Sequence, residues 1–234
     1  MEERFTRTAM LLGEEAVERL HRSHVAIIGL GGVGSYAAEA IARAGVGELT
    51  LVDCDTISVT NINRQLCALT STVGERKTEV TARRAADIHP DAVIHALELR
   101  YSPETREKFF SGNYDYIIDA IDTVSAKTDL ICTAMDRGIP IVSALGTGNK
   151  LHPELLRFAD IYETSVCPLA RAMRRELRRR GVTAHRVLYS TEEPRGATAN
   201  ADGRNYPGSI SWVPGCAGLM LAGHVVMALS GLPV

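Results

Sequence analysis

Short apolar runs alternate along the chain with longer segments of helical character, and that alternation predicts the fold. The runs at 24–28, 48–53, 92–97, 116–120 and 139–144 are rich in Val, Ile, Leu and Ala and are bounded by polar or glycine-containing stretches, as buried strands are. Between them, 34–44, 76–87, 103–110 and 125–137 read as helices, with Pro90 marking the exit of the second and Gly138 stopping the last. An amphipathic opening, Arg4 to Leu20, precedes the first strand, and an irregular loop runs from 54 to about 73. Alternating β and α of this kind predicts an α/β fold with a mostly parallel, doubly wound, Rossmann-like sheet.

The second half breaks the alternation. Leu155–Tyr162 and Arg186–Ser190 read as strands on either side of an arginine-rich helix. The stretch Glu192–Gly208, loaded with Gly, Pro, Asn and Asp, reads as a loop that is disordered or becomes a lid over substrate. Ile210–Leu232 is apolar and long enough to suggest a membrane span. Pro214 interrupts it, however, and His224 lies in its later half, so about four turns remain, which fits a buried core or subunit-interface helix. Neither a repeat nor a linker divides the chain, so it reads as one domain over 1–234, a core over 1–146 carrying an extension of mixed strands and helices over 147–234.

Composition narrows the class without identifying a reaction. With 45% hydrophobic and 23% charged residues, the 234-residue chain has the balance of a soluble globular protein. The opening Met-Glu-Glu-Arg lacks the basic-then-apolar layout of a secretory signal. Cys54, Cys67, Cys132, Cys167 and Cys216 form no C-x-x-C pair, which argues against a thiolate zinc site or a disulfide framework and for a reducing, cytoplasmic setting. The net charge of −2 gives no global attraction to nucleic acid. Locally, Arg171, Arg174, Arg175, Arg178, Arg179, Arg180 and Arg186 crowd a short stretch whose only acid is Glu176. On a helix, 171, 174, 175 and 178 share one stripe, either a solvated face or a phosphate-binding one.

Candidate chemistry begins at the first strand. Gly29, Gly31 and Gly34 fit G-x-G-x-x-G between an apolar strand and a helix, and Asp53 closes the next strand, the arrangement that sets phosphates on a helix N-terminus and a carboxylate beside a ribose. A dehydrogenase needs little more than this. The chain adds Arg64 from the irregular loop, Lys77 from the first turn of the next helix, and Asp122 at the end of the strand Tyr116-Ile-Ile-Asp-Ala-Ile-Asp122. Taken singly, Lys77 fits a surface lysine and Asp122 a helix N-cap. Together the cations suit a triphosphate whose leaving pyrophosphate must be neutralised, and Asp122 suits a phosphate-bridging Mg2+. The combination describes ATP-dependent adenylation.

These pieces resemble the ThiF/MoeB/HesA superfamily of ubiquitin-activating-type adenylyltransferases. Arg4-Phe-Thr-Arg7, Gly29-Leu-Gly-Gly-Val-Gly34, Asp53-Cys-Asp55, Asn61-Ile-Asn-Arg-Gln65, Gly74-Glu-Arg-Lys77 and Asp119-Ala-Ile-Asp122 carry the likeness. The resemblance implies a homodimer, with Gly29, Gly31, Gly32, Gly34, Asp53 and Asp55 around the nucleotide and Asp53 on the ribose. Asn61, Arg64 and Lys77 would surround the phosphates, Asp122 would hold Mg2+, and Arg7 would reach the partner's ATP. The segments Ala159–Ala170, Met173–Leu177, Tyr189–Pro194 and Pro207–Pro214 are similar to the tRNA threonylcarbamoyladenosine dehydratase branch. That branch implies adenylation of the threonyl carboxylate on modified tRNA, followed by cyclisation with loss of AMP. Arg171, Arg174, Arg175, Arg178 and Arg179 would then hold the tRNA backbone.

Several alternatives stay open on the sequence. The chain could activate a ubiquitin-like sulfur carrier, although it lacks the paired C-x-x-C of such relatives. It could be a non-catalytic nucleotide- or RNA-binding scaffold, or an NAD-dependent oxidoreductase. Cys167 is the best thioester candidate, though it fits a buried structural cysteine better, and Cys216 reads as packing. A cysteine desulfurase or other sulfur-relay partner is compatible with the resemblance. Some members of the branch carry a cysteine where this chain has His185-Arg-Val-Leu-Tyr189, which speaks against a relay through that position.

Overall fold

The structure is a computed structural model that describes residues 3–196, 198–201 and 204–233. Helices α1 (Thr6–Leu12) and α2 (Glu14–His21) lead into β1 (His24–Ile28), α3 (Gly34–Arg43) and β2 (Glu48–Asp53). Then follow α4 (Lys77–Ile88), β3 (Val93–Glu98), α5 (Arg106–Phe109), β4 (Tyr116–Asp119), α6 (Val124–Asp136) and β5 (Ile141–Ala144). The second half comprises β6 (Leu156–Asp160), α7 (Pro168–Arg179), β7 (Arg186–Ser190), the pair β8 (Thr198–Ala201) and β9 (Arg204–Pro207), and α8 (Trp212–Leu229).

Seven strands form one sheet in the order β3-β2-β1-β4-β5-β7-β6, parallel except for β6, which runs antiparallel to β7 at the edge. Every residue of β1, β4 and β5 is buried, which is why these strands read as unbroken apolar runs. Helices α3, α4 and α8 cover one face through Ala37, Ile41, Ala85, Leu221 and Val225. Helices α5, α6 and α7 cover the other through Phe109, Leu130, Ile131, Met173 and Leu177. The chain order reverses between β1 and β4, opening a crevice at the carboxyl ends of those strands, where α/β folds bind ligands.

Four expectations change in detail. The amphipathic opening is two helices, broken at Gly13, whose φ of +90° suits glycine. The helix expected over 103–110 is a single turn, because Ser102 and Thr105 close a tight turn behind Pro103. Glu192–Gly208 is not simply a loop: it carries the antiparallel pair β8–β9, while residues 197, 202 and 203 lie outside the described residues. Pro214 does not interrupt the last helix either; it is the third residue of α8, in the first turn, where a missing N–H leaves no bond unmade.

Helix α8 has 18 residues and a mean hydropathy of 1.6, enough by length and composition to cross a membrane, but it lies across α3. A Cβ at Gly218 would sit 2.2 Å from the Val33 carbonyl oxygen, so only glycine allows the two helices to approach this closely.

Candidate functional site

A cavity of about 770 Å³ occupies the crevice, within the range of small-molecule and cofactor pockets. Gly29, Gly31, Gly32, Asp53, Asp55, Asn61, Arg64, Lys77 and Asp122 all line it, so one cavity gathers residues spread over nearly a hundred positions of sequence. Gly34 serves it from below: a Cβ there would lie 1.7 Å from the Gly29 carbonyl oxygen, so the turn closes only on glycine. Gly29 has φ +87° and abuts the Ala120 carbonyl. At Gly31 the nearest atom to a Cβ would be Gln65 Nε2 at 3.9 Å, and the missing side chain keeps the cavity floor open. Arg7 stands exposed on α1 and does not line the cavity of its own chain.

Asp53 ties the turn to the end of β2. Its Oδ2 accepts from Leu30 N at 2.7 Å and its Oδ1 from Asp55 N at 2.8 Å. Lys77 opens α4 and is only 5% exposed, which removes the surface-lysine alternative. Its Nζ donates to Asp55 Oδ2 at 2.9 Å and lies 3.7 Å from Asp53 Oδ1, placing one cation over two carboxylates. Burial opposes ionisation of Asp55, but the Lys77 hydrogen bond and charge outweigh it and hold that carboxyl below its ordinary pKa. Asp53, Cys54 and Asp55 also present ligand atoms within 4.8 Å of one another, but burial pushes the Cys54 thiol up, which makes it a poor metal ligand.

Asp122 is further from the sheet than the sequence suggests. Strand β4 ends at Asp119, and residues 120–123, in neither strand nor helix, carry Asp122 beyond the sheet edge, exposed at the cavity. Thr123, not Asp122, is the N-cap of α6, so the capping alternative fails as well. Arg64 is steadied by Nη1 donating to Thr60 O at 2.9 Å and to Asn63 Oδ1 at 3.0 Å.

The sequence reading missed what stands behind this segment. Lys127 and Asp119 are fully buried, with Lys127 Nζ 2.7 Å from Asp119 Oδ2 and donating to the Ile121 carbonyl at 3.0 Å. Ser143 Oγ donates to Asp119 Oδ2 at 2.6 Å, and Ser143 in turn meets His185 Nε2 at 2.8 Å. Burial pushes the His185 pKa down to about 3, so its ring is neutral at pH 7 and, with Asp119 taking the Ser143 proton, donates to Ser143. A side chain this buried is also closed to a sulfur relay. Gln65 is a second omission: it lines the cavity while buried, and its Oε1 has no hydrogen-bond partner.

A separate concavity of about 440 Å³ is rimmed by Arg171, Arg174, Arg175, Arg178 and Arg179 on α7. The helix is amphipathic, burying Ala170, Met173 and Leu177 and turning its arginines outward. The five are not equivalent. Arg174 Nη1 donates to the Thr164 carbonyl at 2.9 Å, which draws it inward, whereas Arg178 stacks 5.0 Å over Tyr162 and Arg175 and Arg179 flank Glu176. Cys167 is the N-cap of α7; it is buried in the core and does not line the nucleotide cavity, as a structural cysteine would be placed.

Comparison with known proteins follows the same lines. The ThiF family matches residues 5–234. The tRNA threonylcarbamoyladenosine dehydratase of Bacillus subtilis (strain 168) is 42% identical over 238 residues, spanning 96% of this chain and 94% of the relative. The protein of that name from Haemophilus influenzae is 40% identical over 178 residues, spanning 76% and 68% respectively. Among solved structures, the Escherichia coli dehydratase TcdA in complex with ATP superimposes with a TM-score of 0.90 at 33% identity, covering 98% of this chain and 94% of that one.

Proposed function

The chain belongs to the ThiF family, and from that premise we propose that it is an ATP-dependent enzyme that dehydrates threonylcarbamoyladenosine in tRNA. The observation that carries the reading is the convergence of the glycine turn, Arg64, Lys77 and Asp122 on one cavity. The threonyl carboxylate attacks the α-phosphorus of ATP and pyrophosphate leaves. A nitrogen of the same modified nucleoside then attacks the acyl carbon, loses its proton and expels AMP, closing a ring with net loss of one water. The second step is intramolecular, so orientation rather than a protein nucleophile drives it, in keeping with a buried Cys167.

Lys77, Arg64 and Asn61 surround the phosphates in this reading, with the α3 N-terminus behind the glycine turn. Asp53 keeps acceptor capacity for a ribose hydroxyl beyond its two backbone donors. Asp122 is the carboxylate that would hold Mg2+, whose chemistry is to neutralise charge building on the leaving pyrophosphate. Incubation with ATP, Mg2+ and tRNA bearing threonylcarbamoyladenosine should remove the mass of one water from that nucleoside, read by mass spectrometry. An unchanged nucleoside in the presence of ATP-binding protein would refute the proposal. Pyrophosphate exchange that responds to a ubiquitin-like carrier protein but not to tRNA would favour carrier activation instead.

The α7 arginines would grip the tRNA backbone. Substituting Arg175, Arg178 and Arg179 together with Gln should weaken tRNA binding about tenfold or more and flatten its dependence on salt, leaving ATP affinity unchanged. Arg174 is omitted because its Thr164 contact is structural. Equal salt slopes for variant and parent would return this face to the solvent.

The chain would act as a homodimer. Met10 and Leu11 on α1 are 80% and 87% exposed, and the 54–73 loop exposes Val59, Leu69 and Val73, more large apolar surface than two short segments ordinarily leave to water. Arg7 on the same α1 would then enter the partner's cavity.

A further inference from the structure

The edge of the sheet opposite the nucleotide cavity brings together three side chains that ligate metals. His24 is the first residue of β1, Glu48 the first of β2 and His95 the third of β3. Register pairs His24 with Glu48 and His95 with Thr50, so all four side chains project from one face of the sheet. His24 Nδ1 lies 3.3 Å from Glu48 Oε1, and His95 Nε2 lies 2.8 Å from the same oxygen. One ligand atom from each of the three falls within 4.8 Å of the others.

We propose that His24, Glu48 and His95 form a site for a divalent transition metal, Zn2+ in the first instance, with its remaining position open to solvent. The donor set of two imidazoles and one carboxylate suits Zn2+ rather than Mg2+ or Ca2+. Tetrahedral bonds of about 2.0–2.1 Å set ligand atoms about 3.3 Å apart. The His24–Glu48 spacing already has that value, and the His95–Glu48 spacing needs to open by about 0.5 Å. Both moving side chains have room, being 50% and 40% exposed.

The surroundings of His24 are those of an oriented ligand. Its Nε2 meets the buried Thr50 hydroxyl at 2.8 Å, which leaves Nδ1 to face Glu48. Its backbone N–H donates to Asp115 Oδ2 at 2.7 Å, which anchors the start of β1, and Tyr114 packs edge-on against the ring at 4.9 Å. Since β2 runs five residues from Glu48 to Asp53, the site is about 17 Å from the ATP cavity and would staple the amino ends of three strands rather than join the reaction.

Metal-free full-length protein titrated with Zn2+ against a chromophoric chelator should bind one equivalent through this site. His95→Ala should weaken it at least about tenfold, abolish the tetrahedral Co2+ absorption bands, and remove the rise in Tm that Zn2+ gives the parent. His152→Ala, which disrupts an exposed His–Glu pair at 2.8 Å that is not part of a three-ligand cluster among the described residues, should bind as the parent does. Cys54→Ala should also bind normally, since it disturbs only the rival cluster at Asp53–Asp55. Parent-like affinity in His95→Ala, or loss in Cys54→Ala alone, would overturn the proposal.

Discussion

Lys77→Ala should slow adenylate formation by about 10²–10³-fold, the loss that follows removal of one preorganised donor from a developing charge. The expectation rests on two roles of one ammonium group. It is a buried cation at the cavity, and it neutralises Asp53 and Asp55 at 3.7 and 2.9 Å. Without it, a polyphosphate would enter beside two carboxylates offset, among the described residues, only by the exposed Arg100, 4.0 Å from Asp55 Oδ1, so ATP binding and turnover should both fall. The fold should suffer little. Asp55 is half exposed and water can take over its charge, and Asp53 keeps its two backbone N–H donors, so the loss of stability should be smaller than the loss of activity. Lys77→Arg is a poor substitute, because a planar fork cannot occupy the point-charge position between the two acids. ATP–pyrophosphate exchange beside urea unfolding separates the two effects, and exchange at the parent's rate would remove Lys77 from the phosphate site. Arg7→Ala alone should also be slow. Mixed Arg7→Ala and Lys77→Ala subunits should regain activity through heterodimers that hold one intact site; no recovery after subunit exchange would place Arg7 outside the reaction.

How much of this was legible in the chain depended on distance along it. β1, β2 and β7 fall at the predicted residues because each is an apolar run between clear breaks. The glycine turn, Asp53, Arg64 and Lys77 were legible because their spacing is fixed by one strand–helix–strand unit and the loop that follows. β8 and β9 were not, since turn-forming residues dominate their composition and hide the pairing. Pro214 misled because proline is disruptive inside a helix and harmless in its first turn, a distinction that needs the helix start to be known. Lys127 was invisible for a related reason. Its partner Asp119 lies eight residues away across a strand-to-helix crossing, and nothing in a helical pattern marks a lysine as buried. The His24–Glu48–His95 cluster is less legible still, because three separate strands supply it and only their register brings it together.

Breaking the Lys127–Asp119 pair should strongly destabilise the fold. Lys127→Met keeps the bulk of the side chain but leaves the Asp119 carboxylate charged, buried and without its cation, a change that typically destabilises by about 3–5 kcal/mol. Burial already pulls the Lys127 pKa below its ordinary value against the Asp119 charge, so the pair persists by mutual need rather than by comfort in the core. Lys127→Met combined with Asp119→Asn removes both charges and should recover much of the stability, because the amide oxygen still accepts from the Ile121 N–H while the amide NH2 donates to Ser143 Oγ, which then turns its own proton to His185 Nε2. Urea unfolding of parent, single and double variants closes the cycle. A double variant no more stable than the single would show that the cost lies in packing and not in the orphaned charge. The double variant should nevertheless adenylate poorly. Lys127 Nζ also holds the Ile121 carbonyl at 3.0 Å, one residue before Asp122, and a restored fold without that donor leaves Asp122 free to drift from the phosphates. Stability recovered without activity would therefore identify Lys127 as the residue that positions Asp122, acting from beneath the cavity without touching the nucleotide.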